Sequence, residues 1–151
     1  MTMKVGVLQF FAWPGRHGPL EDVFARALER IEIMDKGGFD AVWLAEHHFT
    51  TFSVCPSVHM LGTLAAARTK HLRIGTAVSL AALYHPLRLA EEVALLDVLS
   101  GGRVNWGAGR VRGLRRAAGR ERRTLPRGRG DRVARLDRGA AELRRHAFPL
   151  R

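Results

Sequence analysis

The stretch Gly38-Phe39-Asp40-Ala41-Val42-Trp43-Leu44-Ala45-Glu46-His47-His48-Phe49-Thr50 decides how the chain is read. It opens on a glycine, runs through apolar residues without alternation, and ends abruptly in a carboxylate and two imidazoles. An unbroken apolar run of this length fits a strand covered on both faces, as in a parallel sheet. Its polar end then lies where the strand leaves the sheet.

The flanking sequence repeats that texture. Upstream, Leu20 to Lys36 carries Val23, Leu28, Ile31 and Met34, with Ala27 between, close to helical spacing, and Gly37-Gly38 stops the helix. Before it, Val5 to Phe10 is a short apolar strand ended by Trp13-Pro14-Gly15. Downstream, Pro56 to Arg68 reads as a second helix, with Pro56 suited to a first helical position. Leu72 to Ser79 is a third strand, Pro86 to Ser100 a third helix closed by Gly101-Gly102, and Arg103 to Gly107 a fourth strand. The order β-α-β-α-β-α-β with short connections predicts an α/β fold, a parallel sheet built from right-handed crossovers. It is either a doubly wound sheet or the first half of a (β/α)8 barrel. A complete barrel needs about 250 residues, so a chain of 151 has room for half of one.

In parallel α/β folds ligands bind at the C-terminal ends of the strands. Those ends read Gln9-Phe10, Glu46-His47-His48-Phe49, Thr76-Ala77-Val78-Ser79 and Gly107-Ala108-Gly109-Arg110. Adjacent residues of an extended segment point to opposite faces, so His47 and His48 do not easily serve one site. One imidazole is a candidate general base. A pair of structural histidines beneath a loop reads equally well. The spacing is not that of a His-Glu-x-x-His site, and no metal is expected. Gly107 and Gly109 would let backbone approach a ligand and set Arg110 on a phosphate. Alone, the same run is more simply a tight turn, and Arg112 stands where the dinucleotide fingerprint needs glycine. Ala77 and Val78 leave room for a flat ligand but by composition are ordinary strand packing. Trp13, Trp43 and Trp106 read as core or rim packing, and His85-Pro86 as a helix start.

The net charge of +11 suggests a nucleic-acid binder until its distribution is read. Residues 1–110 hold 11 Lys and Arg against 10 Asp and Glu, whereas residues 111–151 hold 14 Arg, no Lys and 4 acids. The body is near neutral. The Arg-rich tail, with a thin apolar face over Val133 to Arg145, is expected to be disordered. With no Lys and one aromatic, Phe148, it would meet polyanions only non-specifically. One cysteine, Cys55, excludes an intrachain disulfide and fits a reducing, cytoplasmic setting. No run approaches the roughly 18 apolar residues of a membrane span.

Taken in order, several segments resemble the bacterial luciferase family of flavin-dependent monooxygenases. They are residues 38–50 quoted above, Gly75-Thr76-Ala77-Val78, His85-Pro86-Leu87-Arg88-Leu89-Ala90-Glu91-Glu92, Leu96-Asp97, Ser100-Gly101-Gly102-Arg103, and Gly107-Ala108-Gly109-Arg110. They span residues 3–110, and Glu46-His47-His48-Phe49 points to the alkanal-monooxygenase-like, FMN-using branch rather than the deazaflavin-using one. The resemblance implies a (β/α)8 TIM barrel with reduced FMN, supplied by a separate flavin reductase, at its C-terminal rim. His47 matches the proposed catalytic base and Arg110 a contact to the flavin phosphate. Ala77-Val78 matches a non-prolyl cis peptide beside the flavin ring. Gly109 falls where the luciferase α chain carries a reactive cysteine. The implied reaction uses O2 to oxygenate a small organic substrate.

After Arg110 the family pattern stops. The family often continues Gly-Phe-Asp-Ala, and one codon choice for Gly113-Leu114-Arg115-Arg116 encodes that run when shifted by one base. The expectation is therefore a partial barrel domain over residues 1–110 and a basic, frameshifted tail over 111–151. Such a truncated half barrel is expected to be poorly folded or oligomeric and to bind FMN weakly or not at all, since open strand edges and an uncovered inner face invite association. The competing expectation is a non-catalytic half-barrel module that self-associates or meets polyanions through its tail.

Overall fold

A computed structural model of the chain describes residues 3–109. Helix α1 (Leu20–Lys36) buries Val23, Ala27, Leu28 and Ile31 on one stripe, with Glu21 and Asp22 in its first turn and Lys36 in its last, complementing the helix dipole. It ends as its glycines require: Phe39 N–H donates to Met34 C=O at 3.1 Å while Gly38 turns at φ +76°. The chain then enters β2 (Ala41–Leu44), which lies parallel between β1 (Gly6–Gln9) and β3 (Arg73–Thr76). Strand β4 (Val104–Asn105) joins β3.

Helices α2 (Val58–Arg68) and α3 (Pro86–Leu99) fill the crossovers. Pro86 opens α3 as its fixed φ predicts. Pro56 does not open α2. Ser57 is the cap, its hydroxyl accepting from Met60 N–H at 3.3 Å, and the helix starts two residues later than proline chemistry suggested. A side-chain acceptor for an unpaired N–H outranks the mere tolerance of proline there.

The strand order β1-β2-β3-β4 settles the choice between architectures. A doubly wound sheet reverses its order at a switch point. Here every strand pairs with its predecessor, and α1 packs on α2 and α2 on α3 along one side. That is the arrangement of consecutive barrel units. The core lies between this helix layer and one sheet face, where Val42, Leu44 and Ile74 meet Ala27, Ile31, Leu61 and Leu96.

The opposite face carries, in register, Leu8, Trp43, Gly75 and Asn105. Trp43 lies across its neighbours: a Cβ on Gly75 would overlap the indole, and one on Gly6 would stand 2.9 Å from its Nε1. Leu8 is 47% exposed, so among the described residues this face is open, as expected of the inside of a half barrel.

The N-terminal end of the sheet is tied by two side chains. Asp35 accepts from the N–H groups of Lys70, His71 and Leu72 at 2.7–2.9 Å. Arg103 donates to the carbonyls of Ala66, Thr69, Leu72 and Ser100 and to Thr69 Oγ1. The tail, with Arg110, lies outside the described residues.

Candidate functional site

At the other end of the sheet, four strand ends form one rim. Beyond Leu44 the chain leaves β2 and turns back. His47 N–H donates to Cys55 C=O at 2.9 Å, and Val54 N–H to Phe11 C=O at 2.9 Å. The loop after β2 is thereby fastened to the segment after β1. This brings Phe10, His47 and Phe52 together, with ring centroids 5.9 Å (Phe10–His47), 5.5 Å (His47–Phe52) and 5.0 Å (Phe10–Phe52) apart. His47 Nδ1 is buried there with no partner among the described residues.

His48 has a different setting. Its Nε2 lies 2.9 Å from Oε1 of Glu46, whose side chain is fully buried. Glu46 also accepts from Leu80 N–H at 3.0 Å and from the Tyr84 hydroxyl at 3.3 Å. The carboxylate thus joins the end of β2 to the segment after β3. Burial, reinforced by the Glu46 charge, pushes the Cys55 thiol up to about 12 and the Tyr84 phenol up to about 12. His59, beneath them on α2, is pushed down by burial despite Glu46 and Glu92 nearby. Its Nδ1 is 3.6 Å from Glu92, beyond a good hydrogen bond, and both ring nitrogens lack one. His59 is read as a buried neutral ring.

The ends of β3 and β4 are stitched together. Thr76 Oγ1 donates to Gly107 C=O and accepts from Gly107 N–H, each at 2.8 Å. Ser79 N–H donates to Gly107 C=O and Gly109 N–H to Ser79 C=O. The Ala77–Val78 peptide bond is cis, and Val78 is 37% exposed. A Cβ on Gly109 would overlap the Val78 side chain, so this glycine has a packing reason to be there. Of the residues singled out from sequence, His47, Ala77, Val78 and Gly109 share the rim; Arg110 is outside the described residues. Sequence reasoning missed Glu46 as a hub, with Tyr84 and His59. The i, i+2 spacing of Glu46 and His48 on an extended segment was the available signal for their pairing. Among the described residues no group of His, Cys, Asp or Glu could hold a metal, and no helix is long and apolar enough to cross a membrane.

The family model described as luciferase-like monooxygenase matches residues 3–137. The chain belongs to this family. Luciferase-like relatives include the oxygenase component of the flavin-dependent trigonelline monooxygenase of Acinetobacter baylyi, 36% identical over 90 residues, covering 60% of this chain and 25% of the relative. The alkanal monooxygenase alpha chain of Photorhabdus laumondii is 38% identical over 86 residues, covering 57% and 24%. The oxygenating constituent of 3,6-diketocamphane monooxygenase from Pseudomonas putida, a structure in complex with FMN, superposes with a TM-score of 0.76 at 20% identity over 94% of this chain and 40% of that one. This luciferase-like chain therefore spans about a quarter of the length of the two curated relatives, 25% and 24%.

Proposed function

We propose that the rim is the N-terminal part of a reduced-FMN site at which O2 is used to oxygenate a small organic substrate. One observation carries the reading. Three buried polar atoms at or beside the strand ends, His47 Nδ1, Ser79 Oγ and Trp106 Nε1, have no partner among the described residues, and they accompany the small residues Ala77, Gly107 and Gly109. A flat, polar-edged ring fits such a surface, and buried polar atoms call for partners.

The bound flavin would supply the electrons that activate O2, and the protein supplies position and dryness. Val78 would bear on the ring, Gly107 and Gly109 would admit it close to backbone, and Arg110 would take its phosphate. His47 would hold or move a proton beside the rings of Phe10 and Phe52. A separate flavin reductase, a cytoplasmic setting, self-association and the division at residue 110 belong to the same proposal, as does a chain that supplies only part of the barrel.

The test must register weak binding. Saturation-transfer NMR with FMN in large excess over the full chain is expected to show contact to the ring protons, lost in Gly109→Val, whose side chain would displace Val78. No transfer to FMN from the folded chain would overturn the reading. The alternative, a non-catalytic half barrel that self-associates, draws on the open face at Leu8 and the single neighbours of β1 and β4 among the described strands. Sedimentation that shows a dilution-resistant dimer without FMN contact would favour it.

A further inference from the structure

We propose that Glu46 is a positioning residue that fixes the proton of His48 on Nε2 and leaves Nδ1 as the open acceptor nitrogen of that ring. Its chemical use rests on the flavin reading; its geometry does not.

The argument is one of donors and acceptors. The Glu46 side chain is fully buried while that of His48 is 23% exposed. Leu80 N–H donates to Oε2, and this backbone donor cannot reverse its role. Oε1 faces His48 Nε2 at 2.9 Å and the Tyr84 hydroxyl at 3.3 Å. An ionised carboxylate only accepts, so Nε2 must carry the hydrogen. Tyr84, its phenol pushed up to about 12, keeps its proton and donates as well. Nδ1 of His48 has no hydrogen bond among the described residues. Its lone pair is therefore open to a donor that approaches from solvent. His47 is less suited to exchange with water, because its Nδ1 is buried beside Phe10 and Phe52.

Glu46→Gln separates charge from shape. Leu80 N–H requires the amide oxygen in the place of Oε2, so the amide NH2 must face His48. Nε2 must then accept, and the tautomer inverts to Nδ1–H. Long-range 1H–15N correlation on the full chain with labelled histidine reads this directly, above the imidazole titration range. The expected result is Nε2–H for His48 in the parent chain and Nδ1–H in E46Q. A proton on Nδ1 in the parent chain, or an unchanged Nε2–H in E46Q, would overturn the proposal. The parent spectrum decides even if E46Q does not fold.

Acylation by diethylpyrocarbonate, read by mass spectrometry, gives a second measure because the reagent needs an open nitrogen lone pair. His48 should react about tenfold more slowly in E46Q than in the parent chain, whereas Tyr84→Phe, which leaves the carboxylate in place, should match the parent. Equal rates in E46Q and parent would refute the assignment. The expected tautomers together with absent FMN contact would sink the flavin reading and leave the His48 assignment standing.

Discussion

Replacing Arg103 by methionine should remove a large part of the stability of the described fold. The side chain makes five hydrogen bonds: to Ser100 C=O at 2.7 Å, Thr69 Oγ1 and Leu72 C=O at 2.8 Å, Ala66 C=O at 3.0 Å and Thr69 C=O at 3.1 Å. It therefore ties the end of α2, the entry to β3 and the turn before β4. Methionine keeps the length but leaves four carbonyls without this donor. A typical net bond contributes about 1 kcal/mol, more when charged, but these groups are only partly buried and water replaces some donors. A loss of about 3–4 kcal/mol is expected, against a typical domain stability of about 5–15 kcal/mol. At about 4–8 °C per kcal/mol for a domain of this size, the thermal midpoint should fall by roughly 12–32 °C in a melt, alongside the loss in free energy. Urea unfolding followed by tryptophan fluorescence measures it. Arg103→Lys should lose about 2 kcal/mol, because a compact ammonium cannot span the same acceptors. A methionine variant within about 1 kcal/mol of the parent, or a lysine variant equal to it, would refute the reasoning.

The remaining predictions concern other groups. At Asp35, partial burial raises the carboxyl, but the N–H groups of Lys70, His71 and Leu72, helped by His71, hold it below its usual value of 3.8. Its folded value being depressed, the stabilisation is present above that pH and lost as pH falls through the folded value. Asp35→Ala should lower stability at neutral pH by about 2 kcal/mol and flatten the acid limb of a urea-midpoint profile. At His59 the folded value is also depressed, so the unfolded chain binds more protons and stability should fall as pH drops below 6.5. His59→Met should remove that slope in chemical denaturation without loss at high pH, since neither ring nitrogen has a hydrogen bond to forfeit. Cys55, with its thiol raised to about 12, should resist a disulfide reagent in mildly alkaline buffer until the chain is unfolded; prompt labelling of native protein would contradict its burial. Gly75→Ala should displace the Trp43 indole, shift its emission to the red and cost about 1–3 kcal/mol as overpacking, read in the same urea titration.

Much of the fold was legible because glycine and proline punctuate it. Gly37-Gly38, Pro86 and Gly101-Gly102 bracket helices whose bounds agree with the expectation to within a residue or two. The strand order was not legible in the alternation alone; the resemblance implied a barrel, and the order β1-β2-β3-β4 agrees with it. Doubly wound sheets and barrels share the same alternation, and the difference lies in which neighbour each crossover returns to. The stretch ending in Glu46-His47-His48 gave the position of the rim, but not the division of labour within it. Glu46 meets Leu80 and Tyr84, 34 and 38 residues away, and no local pattern announces such partners. The Trp43 cradle was hidden for a similar reason, because its glycines lie on the strands either side.

The strand order also bears on how the chain is made. Among the described strands, β2, β3 and β4 each pair with a strand roughly 30–35 residues upstream, in a segment the ribosome has already released. Synthesis at about 5–20 residues per second delivers one strand-and-helix unit every few seconds, far slower than a hairpin or helix forms. Growth of the sheet can therefore keep pace with elongation, one edge at a time. Among the described strands, the edge that β2 and then β3 presents is covered by the next strand to emerge, while the outer edge of β1 has no neighbour.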